Sequence, residues 1–169
     1  MDPEAAARLH PRDEKRIIRA LEVYRETGVT ISRHNRESQA LPPRYDAAVI
    51  GLSFADRALL KARIDRRVDQ MMAQGLPWEV QGLLDRGTPR SCTAMQAIGY
   101  KEMAACLERG RPPGEAAEEI KLRSRQYAKR QLSWFRRDPA IHWHLWGEAP
   151  DFTIALQDSI QFLREQGLE

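Results

Sequence analysis

Only two cysteines, Cys92 and Cys106, occur in 169 residues. That is too few for a disulfide framework or a thiolate metal site, and neither has an activating partner nearby in sequence. The longest apolar run, Ala47-Ala48-Val49-Ile50 continuing through Gly51 to Leu52, falls far short of the roughly 20 residues of a membrane helix. No signal-peptide pattern follows Met1, so these absences together point to a soluble, cytoplasmic protein. Lysine is scarce: of 27 basic residues, 22 are Arg and 5 are Lys, against 24 Asp and Glu, for a net charge of +3. The basic side is therefore guanidinium, whose planar fork of donors suits phosphate. Catalytic signatures are also missing. There is no Gly-x-x-x-x-Gly-Lys-Ser/Thr loop, no Gly-x-Gly-x-x-Gly after a strand, no Gly-x-Ser-x-Gly and no His-Glu-x-x-His.

What is present suffices for a core, since 42% of the residues are hydrophobic and 30% charged. Asp2 and Pro3 open a short helix that Pro11 stops, and a second helix runs from Asp13 to Thr27-Gly28. On its wheel Arg12, Lys15, Arg16 and Arg19 cluster away from the apolar stripe of Ile17, Ala20, Leu21 and Tyr24. Residues 32–45 are polar, lack a period and end near a double proline, which predicts a loop or linker and a boundary. The run Ala47–Leu52 reads as a strand covered on both faces, as in a parallel sheet. Ser53 and Asp56 bracket a long helix in the manner of a capping box. Further helices follow over Trp78–Leu84, up to Leu107 and from Glu115 to Arg136, then a strand over Ile141–Trp146 and a helix over Phe152–Leu163.

Three basic features stand out: the face at Arg12, Lys15, Arg16 and Arg19, the pair Arg63 and Arg67, and the run Lys121–Arg137. That run holds seven basic residues and no acidic one, interleaved with Tyr127, Trp134 and Phe135. Guanidinium groups neutralise phosphates and aromatic faces stack on unpaired bases, so this pattern suits nucleic acid. Equally, a charged helix face is often merely solvated, and the aromatics sit at core spacing. Arg67 falls inside the apolar arc of its helix and should meet an anion, either an internal carboxylate or a ligand phosphate. His142 and His144 share one strand face but lack a third ligand at a recognisable spacing, which favours surface histidines over a metal site.

Four segments carry a resemblance. They are Asp2-Pro3 through Arg8, His10, Pro11, Asp13, Arg16, Arg19 and Glu22 to Thr27-Gly28; Arg63-Ile-x-x-Arg67-Val-Asp69 to Glu79-Val; Gln96-Ala-Ile-Gly99-Tyr100-Lys101-Glu102; and Arg125-Gln-Tyr127-Ala-Lys129-Arg130-Gln131-Leu-Ser-Trp134-Phe-Arg136. In this order they resemble the tRNA dimethylallyltransferases, which prenylate the adenosine next to the anticodon. The resemblance spans Asp2 to about Trp143 and implies a helix-dominated α/β fold. That fold is a partial P-loop NTPase-like core with parallel strands, over 46–169, plus part of a helical, tRNA-binding insertion domain over 1–45. It implies tRNA contacts at Lys15, Arg16, Arg19, Gln96, Gly99, Tyr100, Lys101, Lys129, Arg130, Gln131, Trp134 and Arg136, and a diphosphate contact at Arg67. The implied partners are the tRNA anticodon stem-loop and dimethylallyl diphosphate, with Mg2+ as cofactor and a monomeric state. The phosphate-binding loop, the general-base aspartate and the magnesium ligands of such enzymes have no counterpart in this sequence. The resemblance therefore covers the C-terminal portion of such an enzyme, and a tRNA-binding module without catalysis is the alternative. A partial sheet leaves open edges, which predicts self-association.

Overall fold

The computed structural model describes residues 1–168, in two units, 1–47 and 48–168. In the first unit the Asp2 carboxylate accepts the Ala5 N–H at 3.0 Å and Pro3 takes the first helical position, giving α1 (Pro3–Arg8). Helix α2 (Glu14–Thr27) ends at Gly28, whose φ of +70° closes the last turn. The polar stretch expected to be a loop is largely helix, α3 (Ile31–Ala40). Its start is set locally by Thr30, which accepts the Arg33 N–H, and at long range by Asp2, which accepts the Ser32 N–H at 3.1 Å. Periodicity missed it because polar contacts, Ser32 to Asp2, His34 to Thr27 at 3.2 Å and Arg36 to Glu4 at 3.4 Å, hold a helix that is polar almost all round.

In the second unit β1 (Val49–Phe54) and β2 (Ile141–Trp146) pair in parallel, Val49 opposite Ile141 and Phe54 opposite Trp146. The strand runs two residues further than its apolar pattern suggested because Phe54 packs edge-on against Trp146, ring centres 5.6 Å apart. Ser53 is accordingly a buried strand residue and not a cap. Asp56 alone caps α4 (Arg57–Ala73), accepting the Ala58 N–H at 2.7 Å. Expected to be covered on both faces, β1 instead leaves Val49 and Leu52 40% and 50% exposed, and among the described residues the sheet has two strands. Gly51 faces Trp143, where an added Cβ would come within 2.7 Å of the indole.

Between the strands lie α4, α5 (Leu76–Asp85), a 3₁₀ turn at Ala94–Gln96, α6 (Tyr100–Glu108) and α7 (Pro113–Phe135). They enclose the core, in which Val80, Met95, Met103 and Ile120 are fully buried. Helix α7 packs antiparallel on α4: Arg125 reaches Asp65 and Lys121, one turn earlier, reaches Asp69, one turn later. Helix α8 (Phe152–Glu165) is capped by Asp151 and held to β2 where Asp158 takes His142 and His144, each at 3.1 Å. Among the described residues no helix is long and apolar enough to cross a membrane.

Candidate nucleic-acid and anion interface

The basic run of α7 divides into two sets. Lys121 is only 14% exposed and donates to Asp69 at 2.7 Å and Glu118 at 2.9 Å; these bonds, Asp69 first, hold its ammonium well above the usual lysine pKa. One guanidinium nitrogen of Arg125 donates to both oxygens of Asp65, at 2.6 and 2.7 Å. These two cations join helices. Lys129, Arg130 and Arg136 have no carboxylate within 4.0 Å among the described residues, and Arg130 lies 5.8 Å over the ring of Tyr127. The aromatics at core spacing are not core: Tyr127 is 48% and Trp134 68% exposed.

Arg67 is exposed on α4 and likewise meets no carboxylate among the described residues, which leaves the internal salt bridge without a partner. It stands where two open cavities meet. One, of about 500 Å³, runs along β1 and is lined also by Arg63, Phe135 and Trp143. The other, of about 760 Å³, lies between α4, α7 and the 3₁₀ turn, and there Arg67 joins Gln96, Ser124, Tyr127 and Gln131. Gln96 also lines a third cavity with Lys101 and Arg130, and Arg130 a fourth with Lys129 and Trp134. Arg67 and six of the expected contacts in this unit, Gln96, Lys101, Lys129, Arg130, Gln131 and Trp134, thus line cavities linked by shared residues.

Other expected residues sit differently. Gly99 is buried at the start of α6, where its φ of +105° and the N–H it donates to Glu102 at 2.8 Å account for glycine by conformation. The Tyr100 hydroxyl donates to Glu79 at 2.5 Å, a bond that pushes the phenol above the usual tyrosine range. The Gln96 amide donates to the Arg90 carbonyl at 2.6 Å, bracing the loop before it. Arg136 caps α7 and lines none of the four cavities. In the other unit Arg16 and Arg19 make only exposed pairs, with Asp13 at 3.3 Å and Glu22 at 3.5 Å, while Lys15 makes none among the described residues. Missed by sequence reasoning were Asp65 and Asp69, the partners that divide the basic run; their spacing of four, matching that of Lys121 and Arg125, was the available signal. His142 and His144 are held by Asp158 and are not free surface histidines, and His142 also stacks on Phe162 at 4.4 Å.

A family profile described as IPP transferase matches residues 1–138. This chain belongs to the IPP transferase family. The tRNA dimethylallyltransferase of Geobacillus thermodenitrificans (strain NG80-2) is 44% identical over 163 residues, covering 96% of this chain and 51% of that protein. That of Geobacter sulfurreducens is 48% identical over 143 residues, 85% of this chain and 46% of that protein. Among solved structures, the full-length tRNA isopentenylpyrophosphate transferase of Bacillus halodurans superposes with a TM-score of 0.68 at 39% identity, covering 98% of this chain and 49% of that one. A eukaryotic dimethylallyltransferase acting on tRNA gives 0.76 at 27% identity, covering 99% and 45%. The chain spans about half the length of the curated relatives it matches. The helix-dominated α/β fold with two parallel strands corresponds to part of these family structures.

Proposed function

We propose that this chain supplies the tRNA grip and one diphosphate-binding arginine of a dimethylallyltransferase acting on N6 of the adenosine next to the tRNA anticodon. In that reaction the C–O bond between the dimethylallyl group and its diphosphate breaks, and the diphosphate keeps the electron pair. N6 forms the new C–N bond and gives up a proton to a base outside this sequence. Charge accumulates on the leaving diphosphate, so a cation aimed there and not neutralised by the protein stabilises the transition state. Arg67, without a carboxylate within 4.0 Å among the described residues and at the junction of two cavities, supports this role more than any other single observation. Lys15, Arg16 and Arg19 in one unit, and Gln96, Lys101, Lys129, Arg130, Gln131, Trp134 and Arg136 in the other, are assigned to the tRNA, the cations to phosphates and Trp134 to an unpaired base. Gly99 and Tyr100 act through the shape of the segment between Gln96 and Lys101. Family enzymes resembling this chain imply Mg2+. Among the described residues no three His, Cys, Asp or Glu side chains are placed to hold a metal ion, so no step here is routed through one.

The test is binding of an anticodon stem-loop RNA in a low-salt filter titration. Arg16→Ala with Arg19→Ala is expected to weaken binding about tenfold. Unchanged affinity removes these residues from the contact, and failure of the unaltered chain to bind overturns the proposal.

A further inference from the structure

The unpaired cations of the second unit do not stop at those the family motifs name. The cavity of about 450 Å³ that holds Gln96, Lys101 and Arg130 is lined also by Arg109, Arg123 and Gln126. The neighbouring one, also about 450 Å³, holds Gln126, Lys129, Arg130, Ser133, Trp134 and Arg137. Gln126 and Arg130 line both, so the two form one continuous groove along the flank of α7. Arg123 and Arg130 are spaced by seven on α7, which returns to nearly the same face about 10 Å further along, and Arg137 follows in the turn just after the helix, where its N–H donates to the Trp134 carbonyl at 3.2 Å. Arg109, at the C-terminal end of α6, brings a fourth guanidinium to that line from a different helix.

The charge of the groove is one-sided. Six cations line it against two carboxylates, Glu102 and Glu119. Glu102 is occupied by the Gly99 N–H at 2.8 Å, and Glu119 by Arg123 at 3.1 Å. The Arg123 pair is half exposed on both sides, a contact worth little in water and easily exchanged for a phosphate. Lys101, Arg109, Lys129, Arg130 and Arg137 have no carboxylate within 4.0 Å among the described residues. A solvated helix face that merely keeps a protein soluble balances both signs; this one sets six cations against two carboxylates already engaged within the protein, with an exposed tryptophan among them.

We propose that this groove is a phosphate track for RNA, in which Arg109, Arg123 and Arg137 carry the backbone from the Gln96–Lys101 segment to Trp134. It rests on the tRNA reading above and extends the contact to three arginines outside the family motifs. The track reads charge and backbone spacing, not sequence, because none of its cations is held in a geometry that selects a base edge.

The experiment measures the salt dependence of anticodon stem-loop binding for the unaltered chain, for the triple variant Arg109→Gln, Arg123→Gln, Arg137→Gln, and for the corresponding triple Lys variant. Each lost phosphate contact lowers the slope of log K against log salt by roughly 0.7 to 0.9, so the Gln variant should lose about 2 slope units and bind at least about tenfold more weakly. The Lys variant should keep most of the slope, which separates charge on the track from any change in folding. If the unaltered chain binds the stem-loop and the Gln variant keeps its slope, the track falls and the functional reading stands. If the unaltered chain does not bind, both fall. Binding of polyglutamate as tight as that of the RNA overturns the assignment of RNA as the occupant.

Discussion

Arg67 carries the diphosphate proposal because no carboxylate lies within 4.0 Å of it among the described residues. Arg67→Gln is expected to reduce affinity for dimethylallyl diphosphate by about tenfold or more, with Arg67→Lys intermediate because a point charge replaces a fork, measured by calorimetric titration of the donor. Two glycines answer to different physics. At Gly51 the limit is space, since a methyl group would strike the rigid Trp143 indole at 2.7 Å. At Gly99 the limit is backbone, at a φ of +105° that side chains seldom adopt. Gly51→Ala is expected to destabilise the chain by roughly 1–3 kcal/mol in urea denaturation. Asp158 offers a titratable check. Hydrogen bonds from His142, then His144, hold its carboxyl below the usual carboxylate range. The folded state therefore favours its ionised form: the stabilisation is complete above the ordinary aspartate pKa and is lost as pH falls through the lowered value. Asp158→Asn is expected to flatten the acid side of a stability–pH profile.

At the level of elements, α7 is a two-sided helix. One flank holds α4 through Lys121–Asp69 and Arg125–Asp65, and the other faces outward with Arg123 and Arg130, continued by Arg137 in the turn after the helix. A double-mutant cycle on Asp65 and Arg125 should show a coupling of about 1 kcal/mol in stability, with stem-loop affinity moved far less than by changes on the outer flank. Helix periodicity made α1, α2, α4 and α7 legible, because capping residues and apolar spacing act within a few residues of chain. It failed at α3, whose order depends on Asp2 some 30 residues away. It failed also for Tyr127 and Trp134, where helical spacing marks one face but does not say whether a partner covers it.

On the scale of the whole molecule, the sheet ends after two strands, and Val49, Leu52 and the free edge of β1 meet solvent along an open cavity. Unpaired edges with apolar side chains associate. Sedimentation velocity is expected to show mass rising with concentration, and Leu52→Lys to reduce it. With the proposed tRNA contacts and diphosphate arginine, and with no Gly-x-x-x-x-Gly-Lys-Ser/Thr loop among its 169 residues, this chain is expected to bind substrates without turning them over. The assay is prenyl transfer from dimethylallyl diphosphate to tRNA with Mg2+, and measurable turnover would refute the expectation.

The amino-acid sequence by itself determined the arginine excess, most helix limits, the two strand segments and the four motifs that place the chain in its family. These depend on composition, local backbone preference and residue order, which a linear chain already contains. Tertiary structure alone decided which cations are free. Lys121 and Arg125 belong to the same basic run as Lys129 and Arg130, yet α4 brings Asp69 and Asp65 to the first pair and, among the described residues, no carboxylate lies within 4.0 Å of the second. Whether a guanidinium is a structural tie or a phosphate ligand depends on what the fold sets within about 4 Å of it, because Coulomb attraction in partly buried sites is decided at that range.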